Sequence, residues 1–318
     1  MNRKIIIPLA LGALLTVGGC GGGIATHTET KTVTISGAFA LQPLVMLWAD
    51  KFMETYPDVM FEISGGGAGK GMTDVMMGMS DIAMVSRTVT ADEQSKGAVV
   101  FPVAKDAVVA IVNVENPYLE QIVARGISRE SAHGIWIDKT IRTWGQFLNN
   151  REATPLRVFT RFDACGAADT WAAWLGAKQI NLAGAKVFGD ARVLAAVQKE
   201  NNTMGYINLA YAYDQTSGAP QKGVVVLPVD VDGNGLIDDH ENVCNTMERI
   251  VAAIGAGVYP APPARNLYLV TNGIPKDPAV AEFIRFALTE GQKYNLPAGY
   301  VEATSDEIAE AMGLIETR

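Results

Sequence analysis

The sequence predicts an α/β protein of about two domains, built on largely parallel sheets, and three observations carry that prediction. The chain has 318 residues, 48% apolar and 19% charged, which is enough to bury a large core and too long for one typical domain of roughly 100–200 residues. A unit of strand, glycine-rich turn and helix occurs three times along it. Strands that alternate with helices form layered sheets, whose ligands sit beyond the carboxyl ends of the strands.

The elements follow in order. Asn2, Arg3 and Lys4 precede an apolar run over residues 5–17. That run suits the core of a secretory signal and falls short of the roughly 20 residues needed to span a bilayer. It leads into Val17-Gly18-Gly19-Cys20, which resembles a bacterial lipobox. The resemblance implies a signal peptide over 1–19 and a lipid on Cys20; the plain alternative is an ordinary cleaved signal and a free Cys20. Residues 20–31, rich in Gly and Thr, read as a flexible tether between lipid and domain. The full chain carries a net charge of −8, and loss of Arg3 and Lys4 makes it −10. A chain that acidic has no general pull toward phosphate backbones, so nucleic acid is not an expected partner. The remaining cysteines, Cys165 and Cys244, leave a disulfide open in a compartment outside the cytoplasm.

Residues 32–36 alternate as a strand, Gly37 turns the chain, and Leu41, Leu44, Val45, Trp48 and Phe52 fall at helical spacing. The second unit is a strand over 59–64, a flexible glycine turn over 65–71 and a helix over 72–79. The third is a strand over 156–160, a turn over 161–166 and a helix over 167–178. Such a turn gathers the unpaired N–H groups of the first helical turn and the positive end of the helix dipole, an anion site that needs no net positive charge. Glycine turns also simply connect elements in α/β proteins, so one alone would say little. Other chemistries fail on spacing. Gly69-Lys70 stands as in a P-loop, but Ser64 replaces its first glycine and Gly71 the Ser or Thr that reaches Mg²⁺. A Cys165 nucleophile would need a histidine base, and His27, His133 and His240 fall in the tether, a helical connector and an acidic loop. No serine-hydrolase elbow or zinc-protease motif occurs, and nothing in the sequence looks like an enzyme.

Residues 230–241 match the twelve-residue calcium loop at every specified position. Asp230, Asp232 and Asn234 offer side-chain oxygens, Leu236 its carbonyl, Asp238 a water-mediated contact and Glu241 two oxygens; Gly235 allows the sharp turn. A β-rich run over 224–229 replaces the first helix of an EF-hand, while 243–254 could be helical. The loop is therefore EF-like, with Ca²⁺ as the expected ion; the bland reading is a solvated acidic turn.

A collinear series of fragments runs through nearly the whole mature chain. It comprises Gly37 to Pro43-Leu44, Gly66-Gly67-Ala68-Gly69-Lys70-Gly71, Asp81-Ile82-Ala83 with Ser86-Arg87, and Ala104-Lys105-Asp106-Ala107 leading to Asn116-Pro117. It continues through Arg161-x-Asp163-x-Cys165-Gly166, Gly205-Tyr206-Ile207, Tyr259-Pro260, Glu290-Gly291-Gln292 and Gly299-Tyr300-Val301. The series resembles the phosphate-type substrate-binding proteins of ABC importers. That resemblance implies a two-lobed periplasmic-binding-protein fold, each lobe a mixed, mostly parallel sheet flanked by helices, with a hinge between them. The lobes would be 32–112 with 244–318, and 113–228, with the calcium loop at 229–243 near the return to the first. It also implies a membrane-anchored lipoprotein facing the periplasm or the cell exterior, which captures a small anion for an ABC permease. The matching ligand positions are Ala38, Phe39, Ala68, Asp81, Arg161, Cys165, Gly166 and Ala167, with Asp81 as the group that accepts a proton from the bound anion.

The departures from the family are as informative. Ala38, Phe39, Ala68, Cys165 and Ala167 stand where hydroxyl-bearing residues are usual, leaving Arg161, Asp163 and backbone amides, unless Ser36, Ser64 or Ser86 compensates. Each charge-assisted hydrogen bond lost is worth about 1.5–3 kcal/mol. The expectation is an anion site that discriminates phosphate poorly and suits an organic anion with a small apolar part. The alternative is a surface lipoprotein with a degenerate anion site that docks a protein partner.

Overall fold

The computed structural model describes residues 30–316, so the signal segment, Cys20 and nearly all of the tether lie outside the described residues. Its strands are β1 (Lys31–Gly37), β2 (Val59–Gly65), β3 (Ile82–Val85), β4 (Ala98–Asn113), β5 (Ile127–Ser128), β6 (Arg157–Arg161), β7 (Ala185–Val187), β8 (Thr203–Asn208), β9 (Val224–Val226), β10 (Val229–Asp230), β11 (Ala264–Asn272) and β12 (Val301–Glu302). The main sheet runs β2-β1-β3-β11-β4-β8-β6-β7, with β9 and β12 also pairing to β4. Pairs β1/β2, β1/β3, β6/β8 and β6/β7 are parallel, while β11 and β4 are antiparallel to their neighbours. The result is the expected mixed α/β fold, with helices flanking the sheet.

All three strand–turn–helix units form. After β1 comes the helix Gln42–Met53, which buries Leu44, Val45, Trp48, Ala49 and Phe52 on the predicted face. The helix after β2 is Ala68–Met76, not 72–79, so Gly69, Lys70 and Gly71 are helical. Gly71 is there for proximity rather than flexibility: a Cβ on it would crowd the backbone of Ser36 and Gly37 in β1. The helix after β6 is Gly166–Trp174, shorter than the expected 167–178, and a 3₁₀ turn at Gln179–Asn181 takes over. The run over 224–229 splits into β9 and β10 around Leu227-Pro228, since proline cannot donate to a ladder.

Two hydrophobic cores divide the molecule. One gathers β1, β2, β3, residues 98–104 of β4, most of β11 and the C-terminal helices, up to Ile315. The other spans Ala107 to Ala264, including Trp136, Trp144, Trp171 and Tyr206. Residues 107–112 and 244–264 thus belong to the second core, where the sequence reading had put them in the first lobe. The reason is β4: its 16 residues form one unbroken strand, whose first part pairs with β11 and whose second part pairs with β8 and β9. Its backbone continuity hides the crossing point from any reading of local pattern.

Candidate functional site

The turns after β1, β2 and β6 meet between the two cores. The Gly67 N–H donates to the Gly37 carbonyl at 2.9 Å, joining the first two turns. Gly67 has φ +92°, open to glycine at no steric cost, and a Cβ there would overlap the Ala164 carbonyl oxygen in the third turn. Gly166 packs as closely against Ser86, just past β3. Ala38, Ala68, Cys165, Gly166 and Ala167 are all buried at this junction and Phe39 is half-buried. Helices Ala68–Met76 and Gly166–Trp174 open here, so their first-turn amides, which have no intrahelical acceptor, point into it.

Arg161, the last residue of β6, holds the centre and is 2% exposed. Its Nε and Nη2 donate to Asp163 at 2.8 and 2.5 Å, and its Nη1 donates to Asp190 at 2.8 Å. Of a guanidinium's five N–H groups this leaves two, one on each terminal nitrogen. The Phe39 ring lies 5.4 Å from its Cζ, covering one face. Burial opposes the charge, but Asp190 and Asp163 outweigh it and hold the Arg161 pKa above its ordinary value. Asp163 also suffers burial, yet the bonds from Arg161 and from Gly189 N–H keep its carboxyl below the usual range. Asp190 accepts from both the backbone and the side chain of Asn208. Asn208 in turn accepts from Arg265, which pairs with Asp106 in β4 and also donates to the Gly166 carbonyl and Thr170 Oγ1. One buried chain of charges therefore runs from the crossing strands to the cleft arginine.

Asp81 is not in this site. It stands before β3, at the strand's amino end and so at the opposite end of the strands from the turns, and accepts from the backbone and hydroxyl of Thr34 at 2.8 and 2.7 Å, lining a separate cavity. The residues at the site end of β3 are Ser86 and Arg87; Arg87 forms a bidentate pair with Glu93. Ser36 does not replace a lost hydroxyl, because its Oγ donates to Asp74, which Lys70 also holds. Ser64 is exposed. Cys165 and Cys244 are both free thiols, and burial pushes each up to about 12. Sequence reasoning missed Asp190, Asn208 and Arg265. Asp190 had a signal: β7, Gly189 and the helix Asp190–Lys199 repeat the same strand–glycine–helix unit.

The twelve-residue loop closes on itself. Carboxylate oxygens of Asp230, Asp232 and Glu241 lie within 4.8 Å of one another. Asp230 accepts from the Gly233 and Gly235 amides, and Glu241 from those of Val231 and Asp238. Gly235 takes φ +84°, Asn234 reaches Asp232, and Leu236 and Asp238 are exposed. Burial raises the Asp230 pKa, and the charges of Glu241 and Asp232 add to it. The flank expected to be helical forms the helix Met247–Gly255, capped by Thr246.

A mixed α/β sheet with two cores, and an arginine enclosed among helix N-termini where they meet, is the build of a binding domain. The chain belongs to the PBP superfamily, whose domain profile matches residues 24–290. It is 25% identical to the phosphate-binding protein PstS of Methanocaldococcus jannaschii, over 95% of this chain and 93% of that one. It is 24% identical to PstS of Pseudomonas aeruginosa, over 83% and 81%. An ABC-type phosphate transport receptor from Vibrio cholerae superposes with a TM-score of 0.63 at 21% identity, covering 85% of this chain and all of that one. The superfamily is one of binding proteins rather than of enzymes. No helix of the described residues is long and apolar enough to cross a membrane.

Proposed function

We propose that this protein is an extracytoplasmic solute-binding protein that captures a small oxyanion, phosphate or a relative of it, for an ABC importer. The observation that carries this reading is the convergence of three strand–helix turns on Arg161, which keeps two N–H donors beside the first-turn amides of two helices. Relatives named as phosphate-binding over nearly their full length support it. In this reading the lobes are residues 31–106 with 265–316, and 107–264, and they close on the ligand about the crossing strands. A lipid on Cys20 would hold the protein at a membrane facing the periplasm or the exterior. Calorimetry of protein lacking the anchor, against phosphate, sulfate and small carboxylates, tests the reading. At least one anion should bind, and Arg161→Lys, which loses the planar fork, should weaken it by about tenfold or more. Silence toward every anion would overturn it and favour a docking role.

We also propose that residues 230–241 bind Ca²⁺ through Asp230, Asp232, Asn234, the Leu236 carbonyl, Asp238 by way of water, and Glu241. The clustered carboxylates and the positive φ of Gly235 support this, since three carboxylates held together repel one another until a cation joins them.

A further inference from the structure

We propose that Phe188 is a positioning residue of the anion site, holding the Phe39 ring on Arg161 from across the cleft; this rests on the anion reading above. The backbone sets the arrangement. Arg161 and Val187 are register partners on the parallel strands β6 and β7. The Phe162 N–H donates to the Val187 carbonyl at 3.2 Å, so Phe162 and Phe188 leave the ends of adjacent strands together. Their rings lie 5.8 Å apart and remain 62% and 40% exposed. Phe159 and Val187 fasten these two strands to the second core.

Phe39 comes from the other half. Its neighbours in the turn after β1, Ala38, Ala40 and Leu41, are buried in the first core. Gly65, the last residue of β2, backs the ring so closely that a Cβ there would overlap it. Seated in this way on its own half, the ring reaches two partners on the other. It meets Phe188 edge-on, with centroids 5.8 Å apart and planes at 89°, and it covers one face of the Arg161 guanidinium at 5.4 Å. Both are favourable geometries, a T-shaped aromatic pair and a cation on a ring face. Neither contact survives separation of the halves, since its two members lie on opposite sides. Opening would also return ring surface to water beside two phenylalanines that are already exposed there. The rings therefore bias the halves toward closure, and an anion bound between them gains by that bias. Phe188 acts only through Phe39.

The test is titration calorimetry of anchor-free protein with inorganic phosphate, sulfate and acetate. Phe188→Ala should weaken binding of whichever anion the wild type takes by about fivefold or more, the order of one aromatic pair with its buried area. Phe188→Tyr, which keeps the ring, should bind as the wild type does. Phe188→Leu, which keeps apolar bulk without the ring, should repeat the loss where alanine disturbs the fold. In a double-mutant cycle, adding Phe188→Ala to Phe39→Ala should weaken binding no further, because the intermediary is already gone. Unchanged affinity in both Phe188→Ala and Phe188→Leu, or losses that add in the double variant, would overturn the proposal and leave the anion site standing. Binding of none of the three anions by the wild type would overturn the anion reading together with it.

Discussion

Arg161 is held by two carboxylates that, among the described residues, pair with no other cation. Removing it by Arg161→Ala would leave Asp163 and Asp190, 7% and 1% exposed, charged and facing a void. Breaking a buried pair in this way destabilises a protein by about 3–5 kcal/mol. Thermal or urea unfolding should show a loss of that order, and a change under about 1 kcal/mol would mean that water reaches the pair. At the rim of the site Glu93 makes a different prediction. Arg87, opposed by partial burial and helped by Thr90, lowers its pKa to about 2. A carboxylate whose folded pKa lies below its unfolded value, about 4.3, contributes stability that is fully present above the unfolded pKa and lost as pH falls through the folded one. Acid unfolding between about pH 4 and 2 should therefore be shallower in Glu93→Gln than in wild type. These residues differ in how far the sequence exposed them. Arg161 and Asp163 were legible because they share one short turn. Asp81 was misplaced because it rested on a short matching fragment alone, and it precedes the strand whose carboxyl end faces the site. Arg265 was invisible, since its partners Asp106, Thr170 and Asn208 lie 57 to 159 positions away.

At the scale of elements, the calcium reading of the loop over 230–241 is a proposal that rests on spacing within twelve residues. Its prediction is correspondingly local. Loops of this kind outside the cell bind Ca²⁺ at about 10⁻⁴–10⁻³ M, and an ion bound only by the folded state raises its stability. Melting in millimolar Ca²⁺ should exceed melting in EGTA, and Glu241→Ala should remove the difference; equal midpoints in wild type would refute the site. Elements whose form depends on a neighbour were harder to read. Glycines at 65–71 looked like a flexible turn, yet Gly71 is helical, and it lacks a side chain because β1 passes so close. Strand β4 contains Pro102, which argues against a central strand; the structure accommodates it where the ladder with β11 shifts register, between Leu267 and Tyr268.

Across the whole molecule the two halves are drawn tightly together, Gly67 on Ala164 and Gly166 on Ser86. A side chain at either contact is a wedge. Gly166→Val should keep the circular dichroism of wild type, enlarge the radius of gyration in small-angle scattering and weaken anion binding; unchanged dimensions would show that the contact does not govern closure. A Cys20→Ala form should appear as released protein when cells are fractionated, and its continued sedimentation with membranes would dispose of the lipid anchor. The α/β class was legible because strand and helix periods are local, whereas the division between cores was not, because β4 carries no break where it passes from one to the other. That shared strand has a further consequence for how such a chain can vary. Deleting one residue within β4 would flip every later side chain of the strand to the opposite face, and no loop stands between the cores to absorb the slip. Nor can one half be exchanged for a relative's by a cut at a linker, since the seam falls inside a hydrogen-bonded ladder. Inheritance of the two halves is therefore tied: they should diverge as one unit, and chimeras should fold only when β4 is taken whole from a single parent.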